Sequence, residues 1–355
     1  MSDLKLASII REDAERVVLA IPDWSFLWGK RVLLTGGTGL IGIHMLAVLE
    51  RLRHAGYVRH VTFTGQNLPT GAASIIGQFA EFVKCDLTNH AQMFNLPYDV
   101  DVIIHAAGYG QPGKFMVNGL KTIELNTTVT DDLGQHLAKD GRFLFLSTSE
   151  IYSGSKNIPY KEEDCGITHP FHPRACYIEG KRCGEAICNY HHIKGRHYRI
   201  ARVSLAYGPG TQAGDERVIN QFIQRALTEK VIKMRDLGDA IRTYCYVSDT
   251  VENLFNIILH GKEPLYNVGG KSRTTIHRLA EIIAVLTGAR IELPSTSGAE
   301  QVMLKVLTGA PDDVWMDTSK ANAEFSKTQY VPLDEGLNKT IEYQRILYAN
   351  SGNGS

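Results

Sequence analysis

The chain has 355 residues, 43% of them hydrophobic and 21% charged, an ordinary globular composition with ample core that excludes general disorder. Its 38 Lys and Arg balance 38 Asp and Glu, so no global field draws it to nucleic acid or acidic membranes. Six cysteines (Cys85, Cys165, Cys176, Cys183, Cys188, Cys245) form neither a CxxC pair nor a zinc-ligand spacing and read as reduced structural thiols. The N-terminus mixes charge and apolar residues too closely for a signal peptide. No apolar run approaches the roughly 20 residues that span a bilayer. A soluble, cytoplasmic protein without metal, nucleic-acid or membrane partner is expected.

Residues 1–29 read as an amphipathic lead-in helix and a turn at Pro22-Asp23-Trp24. A short buried strand follows at Arg31–Thr35, then a glycine-rich turn and an apolar helix, Ile41–Leu52. Further strands are predicted at Val61–Phe63, Phe82–Lys84, Val100–His105 and Arg142–Ser147, the later ones flanked by helical pattern. A helix at Cys176–His191 and a strand at Tyr198–Val203 extend the alternation. Such alternation predicts an α/β fold, a Rossmann-type doubly wound parallel sheet over 30–207. Beyond Tyr207-Gly208-Pro209-Gly210, a turn, the pattern becomes irregular. Helices at Glu216–Thr228, Val247–His260, Thr275–Thr287 and Leu333–Ala349, with short strands such as Pro264–Val268, predict a smaller lobe over 208–349 that closes on the first. Residues 350–355 form a polar tail.

Thr35-Gly36-Gly37-Thr38-Gly39-Leu40-Ile41-Gly42 places glycines between a strand and a helix. Gly36 permits the tight turn, Gly39 lets backbone approach a pyrophosphate, and Gly42 lets the helix pack on the strand. Dinucleotide binding is expected here, with Leu40 and Ile41 at the helix start, Asp86 and Leu87 after the third strand, and Ala106 after the fourth. Asp86 is a candidate acceptor for the adenine amino group. The second strand ends in Gln66-Asn67 without the usual ribose-binding carboxylate, and no basic residue there welcomes a 2′-phosphate, so NAD is favoured modestly.

Tyr177 and Lys181 share a helix face one turn apart. A nearby ammonium stabilises phenolate, and such a tyrosine takes the proton of a sugar hydroxyl as hydride leaves for nicotinamide. Ser147-Thr148-Ser149-Glu150 lies where a strand's C-terminal end meets the cofactor, with Thr148 placed to bond the reacting hydroxyl. Glu150 is the informative residue. Oxidation alone needs no carboxylate, so a glutamate here suggests chemistry beside the new ketone.

Pro173-Arg174-Ala175-Cys176-Tyr177-Ile178-Glu179-Gly180-Lys181-Arg182 resembles, with one substitution, the PRACYDEGKR signature of the UDP-glucuronate decarboxylases of the extended short-chain dehydrogenase/reductase group. Thr148–Tyr152 resembles that family's TSEVY, Asp215-Glu216-Arg217-Val218 its DGRV, and Val331–Lys339 its closing helix motif. The likeness carries over Thr148, Glu150, Tyr177, Lys181 and Arg242 as catalytic, with Tyr177 and Lys181 also at the cofactor. It places Lys114, Phe115, Arg217 and Arg242 at the substrate, a nucleotide sugar. It further implies NAD, a C4-keto intermediate, loss of carbon dioxide, and a homodimer pairing the Asn126–Lys139 and Cys176–His191 helices. Three positions depart from the family. Phe115 stands for a tyrosine near the carboxylate, with Lys114 beside it as a charged substitute. Leu205 replaces an asparagine, and no phosphate-clamping arginine occurs at Pro311–Asp317. A nucleotide-hexose 4,6-dehydratase is the alternative, although Ser149 replaces its acidic residue. A 4-epimerase follows, and a non-catalytic NAD-binding sensor is the reading outside enzymes. His191-His192 and the basic stretch Lys194–Arg199 read as a helix end and a surface turn.

Overall fold

The computed structural model describes residues 2–294 and 311–351; the tail residues 352–355 lie outside the described residues. Its centre is a seven-stranded sheet made of β1 (Lys30–Thr35), β2 (Val58–Gly65), β3 (Glu81–Lys84), β4 (Val100–His105), β5 (Leu137–Thr148), β6 (His197–Val203) and, beyond β7 (Ala206–Tyr207), β8 (Val231–Lys233) and β9 (Ile241–Tyr246), β10 (Leu265–Val268). The order is β10-β6-β5-β4-β1-β2-β3, and every pairing in it is parallel. Parallel strands are covered on both faces, which is why their apolar runs are continuous. Val32, Leu33 and Leu34, then Val102, Ile103 and Ile104, then Phe143, Leu144 and Phe145 are all buried. The expected Rossmann-type α/β fold is what the sheet shows.

Strand order reverses between β1 and β4, so their C-terminal ends open a crevice, the place where such sheets bind ligands. β5 is the longest central strand, 12 residues, and delivers Ser147 and Thr148 beside that crevice. After Gly208 the chain comes back to the main sheet, with the Val247–His260 helix packed against β6 and β10 paired with that strand. The small sheet joins β11 (Ser272–Thr275), β9 and β13 (Asp313–Val314), with β7 on β9; β8 pairs separately with β12 (Arg290–Glu292).

The lead-in is a helix at Ser2–Ala20 that buries Leu6, Ile10, Ala14 and Val17. Its Asp13 is fully buried, accepts a bond from the Tyr246 hydroxyl at 2.8 Å, and lies 3.3 Å from the Lys339 ammonium. The first helix is thereby tied to β9 and to the Leu333–Ser351 helix.

The single helix expected at Asn126–Lys139 is corrected by the structure. Helices run Pro112–Val117, Gly119–Asn126 and Thr128–Gln135, and from Leu137 the chain is already strand. Thr127 breaks the run with φ −113° and ψ −88°. Leu137 pairs with Val100, so tertiary pairing overrides a locally helical pattern.

Candidate active site

A cleft of about 410 Å³ opens at the C-terminal ends of the central strands. It is lined by Thr148 and Glu150 from the end of β5 and by Tyr177 and Lys181 from the Ala175–Ile193 helix. Arg217, Arg242 and Phe115 complete the substrate side, with Ile41 and Ala106 toward the glycine turn. Residues far apart in sequence converge here because strand ends and helix starts share one edge of a parallel sheet.

The Tyr177 phenol is buried against Thr148, whose hydroxyl also accepts the backbone N–H of Glu150 at 3.2 Å. Burial pushes the phenol up to about 12, a rise that the Thr148 hydrogen bond opposes and the Glu150 charge assists. The Lys181 ammonium donates to the Leu146 carbonyl at 2.6 Å and lies 4.7 Å from the Phe145 ring centroid. Burial pulls it down to about 7, against the Glu185 carboxylate that favours its charge. The sequence leads one to expect the lysine to depress the tyrosine. Burial instead drives the two apart in opposite directions.

Glu150 forms an ion pair with Arg174, which is 8% exposed and lines the same cleft. Arg242 spends its guanidinium on the carbonyls of Ile241 at 2.7 Å, Pro311 at 2.9 Å and Asp312 at 3.2 Å. Burial holds Arg242 below its ordinary range, and the charges of Tyr244 and Glu150 partly offset this. Arg217 is clamped by Asp215 at 2.6 Å, and Gln111 donates to the same carboxylate at 2.9 Å.

Other expected residues sit elsewhere. Lys114 is exposed and outside the cleft lining: the Pro112–Val117 helix turns Phe115 inward and Lys114 to solvent. The Leu87 side chain is buried in the core with Cys85 and Met93. Asp86 accepts bonds from the Thr88 hydroxyl at 2.8 Å and the Lys121 ammonium at 3.0 Å. Burial pushes its carboxyl up, but those bonds outweigh it and hold the group below the usual range. Leu205 lines the cleft at φ +30°, a backbone setting that leucine rarely adopts.

Sequence reasoning missed a buried polar network behind the site. Glu185, one helical turn beyond Lys181, accepts from Ser147 and from Arg202 at 2.8 and 3.0 Å. Arg202 continues to the Tyr152 hydroxyl at 2.7 Å, which donates to Asn267 at 2.7 Å. Charged residues within apolar strand and helix patterns were its only trace. Arg174 was in view within the quoted signature, but no spacing rule gave it a partner. Among the described residues no group of His, Cys, Asp and Glu is gathered to hold a metal, and no helix is long and apolar enough to cross a membrane.

The glycine turn fits a dinucleotide. A Cβ at Gly36, which has φ +70°, would lie 2.8 Å from the Ala107 backbone, and one at Gly42 would lie 2.1 Å from the Gly36 carbonyl oxygen. Gly39 caps the Leu40–His54 helix without a side chain, leaving that helix's first N–H groups open for phosphate oxygens.

Comparison with known proteins agrees with this geometry. The profile of the NAD dependent epimerase/dehydratase family matches residues 32–269. UDP-glucuronic acid decarboxylase 1 of Xenopus tropicalis is 34% identical over 319 residues, 89% of this chain and 72% of that protein. UDP-glucuronic acid decarboxylase 6 of Arabidopsis thaliana is 31% identical, covering 88% of each chain. Among solved structures, the dTDP-glucose 4,6-dehydratase DesIV of Streptomyces venezuelae, with NAD and TYD bound, superposes with a TM-score of 0.75 at 21% identity over 91% of this chain and 98% of that one. The UDP-glucuronic acid 4-epimerase of Bacillus cereus, with UDP-glucuronic acid and NAD, gives 0.71 at 23% identity over 90% of this chain and 100% of that one. Both share the fold. NAD is the cofactor that the family and the glycine cradle have in common. The chain belongs to the NAD dependent epimerase/dehydratase family, where its relatives include UDP-glucuronic acid decarboxylases.

Proposed function

We propose that the protein decarboxylates a nucleotide-linked uronic acid, in a reaction of the UDP-glucuronate to UDP-xylose type, through a 4-keto sugar. Bound NAD⁺ supplies the acceptor, and later the donor, of one hydride. Tyr177, bonded to Thr148, takes the C4 hydroxyl proton as the hydride leaves, and Lys181 one turn on balances the phenolate. A ketone at C4 lies β to the C6 carboxylate, so the electrons of the C5–C6 bond pass into an enolate as carbon dioxide departs. Water beside Glu150 then protonates C5, and Tyr177 returns its proton as hydride returns to C4.

The observation that carries this reading is the Glu150–Arg174 pair. Dehydration at C5 and C6 requires a base to remove the C5 hydrogen and an acid to protonate the leaving hydroxyl. Here the carboxylate is committed to a guanidinium and its neighbour is Ser149. Decarboxylation needs neither group, because the C–C bond itself releases the electrons. The test is NAD⁺-dependent release of labelled carbon dioxide from UDP-glucuronate labelled at C6. Retention of the label in the sugar contradicts the reading.

A cytoplasmic homodimer accompanies this proposal. All six cysteines are free, which suits a reducing compartment. Leu120 and Ile193 are 83% and 72% exposed on the Gly119–Asn126 and Ala175–Ile193 helices, with Val117 and Tyr190 beside them. Pairing these helices with those of a second copy covers that apolar face.

A further inference from the structure

We infer that Arg174 is a positioning residue that holds Glu150 for protonation of C5, and so keeps the keto sugar on the enzyme until hydride returns. This rests on the decarboxylase reading. Arg174 joins two catalytic elements. Its backbone caps the helix that carries Tyr177 and Lys181, its carbonyl accepting the N–H groups of Tyr177 and Ile178, each at 3.1 Å. Its guanidinium reaches the Glu150 carboxylate, on the short turn that follows β5. Arg182, two turns along the same helix, donates to the Ile151 carbonyl at 2.6 Å and fixes the same turn a second time.

The chemistry gives this linkage a task. Once carbon dioxide leaves, the electron pair of the broken C5–C6 bond resides on the enolate. C5 must take a proton from water before the C4 ketone of the pentose can accept the hydride back. Glu150 orders that water only while its own direction is fixed. At 24% side-chain exposure it has room to swing, and Arg174, at 9%, does not. Without the guanidinium, protonation is slow and misplaced, and the ketone escapes. Each escape leaves one reduced cofactor behind, so released ketopentose and NADH must appear in equal amounts.

The experiment compares wild type, Arg174→Gln and Arg174→Lys with UDP-glucuronate and NAD⁺, following pentose, ketopentose, carbon dioxide and reduced cofactor together. Wild type is expected to return almost every hydride. Arg174→Gln raises the ratio of ketopentose to pentose by about tenfold or more, the scale of one lost charge-assisted hydrogen bond. Arg174→Lys restores most of the ratio. A slower Arg174→Gln enzyme with an unchanged product ratio overturns the inference and makes the arginine a structural cap. Wild type that itself releases ketopentose at every turnover also overturns it. Should Arg174→Gln fail to fold, Glu150→Gln removes the other half of the pair and must give the same ketone release; an unchanged ratio there is equally fatal. Failure of the underlying decarboxylase reading looks different, because no form then evolves carbon dioxide.

Discussion

The Phe115 ring lies flat on the Tyr177 phenol, with centroids 4.4 Å apart and planes within 4°. One ring thus covers a face of the Tyr177 phenol on the side where the decarboxylase pattern has a second tyrosine. The stack explains why burial dominates the phenol. Phe115→Ala removes a 2% exposed ring and is expected to destabilise the fold by about 3 kcal/mol. Urea unfolding checks this, and an unchanged midpoint contradicts the packing role.

The opposed shifts of Tyr177 and Lys181 set a pH dependence. The lysine sheds its proton near 7, while the tyrosine keeps its own to about 12, so the pair first loses a proton near neutrality. In that singly deprotonated pair the phenolate–ammonium form is a minor tautomer of the form with neutral lysine, and it is the one that can take the substrate proton. kcat/KM is therefore expected to rise about tenfold per pH unit up to that point and then level off. Lys181→Met should move the limb upward toward the range of the phenol. A profile flat from pH 5 to 9 for the wild type, roughly the span over which such a limb is visible, excludes this assignment.

Gly42→Ala places a methyl group 2.1 Å from the Gly36 carbonyl oxygen. The turn must shift, at a cost of roughly 1–3 kcal/mol, and NAD affinity should fall about tenfold or more. Fluorescence titration with NADH measures this, and wild-type affinity in the variant would remove the turn from the cofactor site.

Arg202→Met strands the Glu185 carboxylate, 9% exposed, behind the active site. A loss of about 3–5 kcal/mol is expected, and the double variant with Glu185→Leu should recover much of it. Additive losses in a double-mutant cycle would show that the two residues do not act as a pair.

Leu205 sits at φ +30°, where asparagine is more at ease. Leu205→Asn, which restores the residue of the decarboxylase pattern, should leave stability within about 1 kcal/mol while lowering KM for the uronate. A raised KM would mean that the leucine itself recognises the sugar.

Much of the fold was legible in the sequence because a parallel sheet writes itself as buried runs between helices. The glycine turn and the Tyr177–Lys181 pair were equally legible, since each depends on short-range spacing. Sequence does not say which of two adjacent helix residues turns inward, and here Phe115 does while Lys114 faces solvent. The Asn126–Lys139 segment failed for the opposite reason: β4 recruits Leu137 into the sheet from a stretch whose local pattern is helical. Arg174 and the Glu185–Arg202 network were missed because their partners lie 17 to 115 residues away and obey no periodicity.

The most direct measurement is the mass spectrum of products formed from UDP-glucuronate, UDP-glucose and dTDP-glucose with purified protein and NAD⁺. Loss of the mass of carbon dioxide from the uronate, with both hexoses unchanged, is the predicted result. Loss of the mass of water from a hexose, with the uronate untouched, would contradict the account and make the protein a dehydratase despite Ser149.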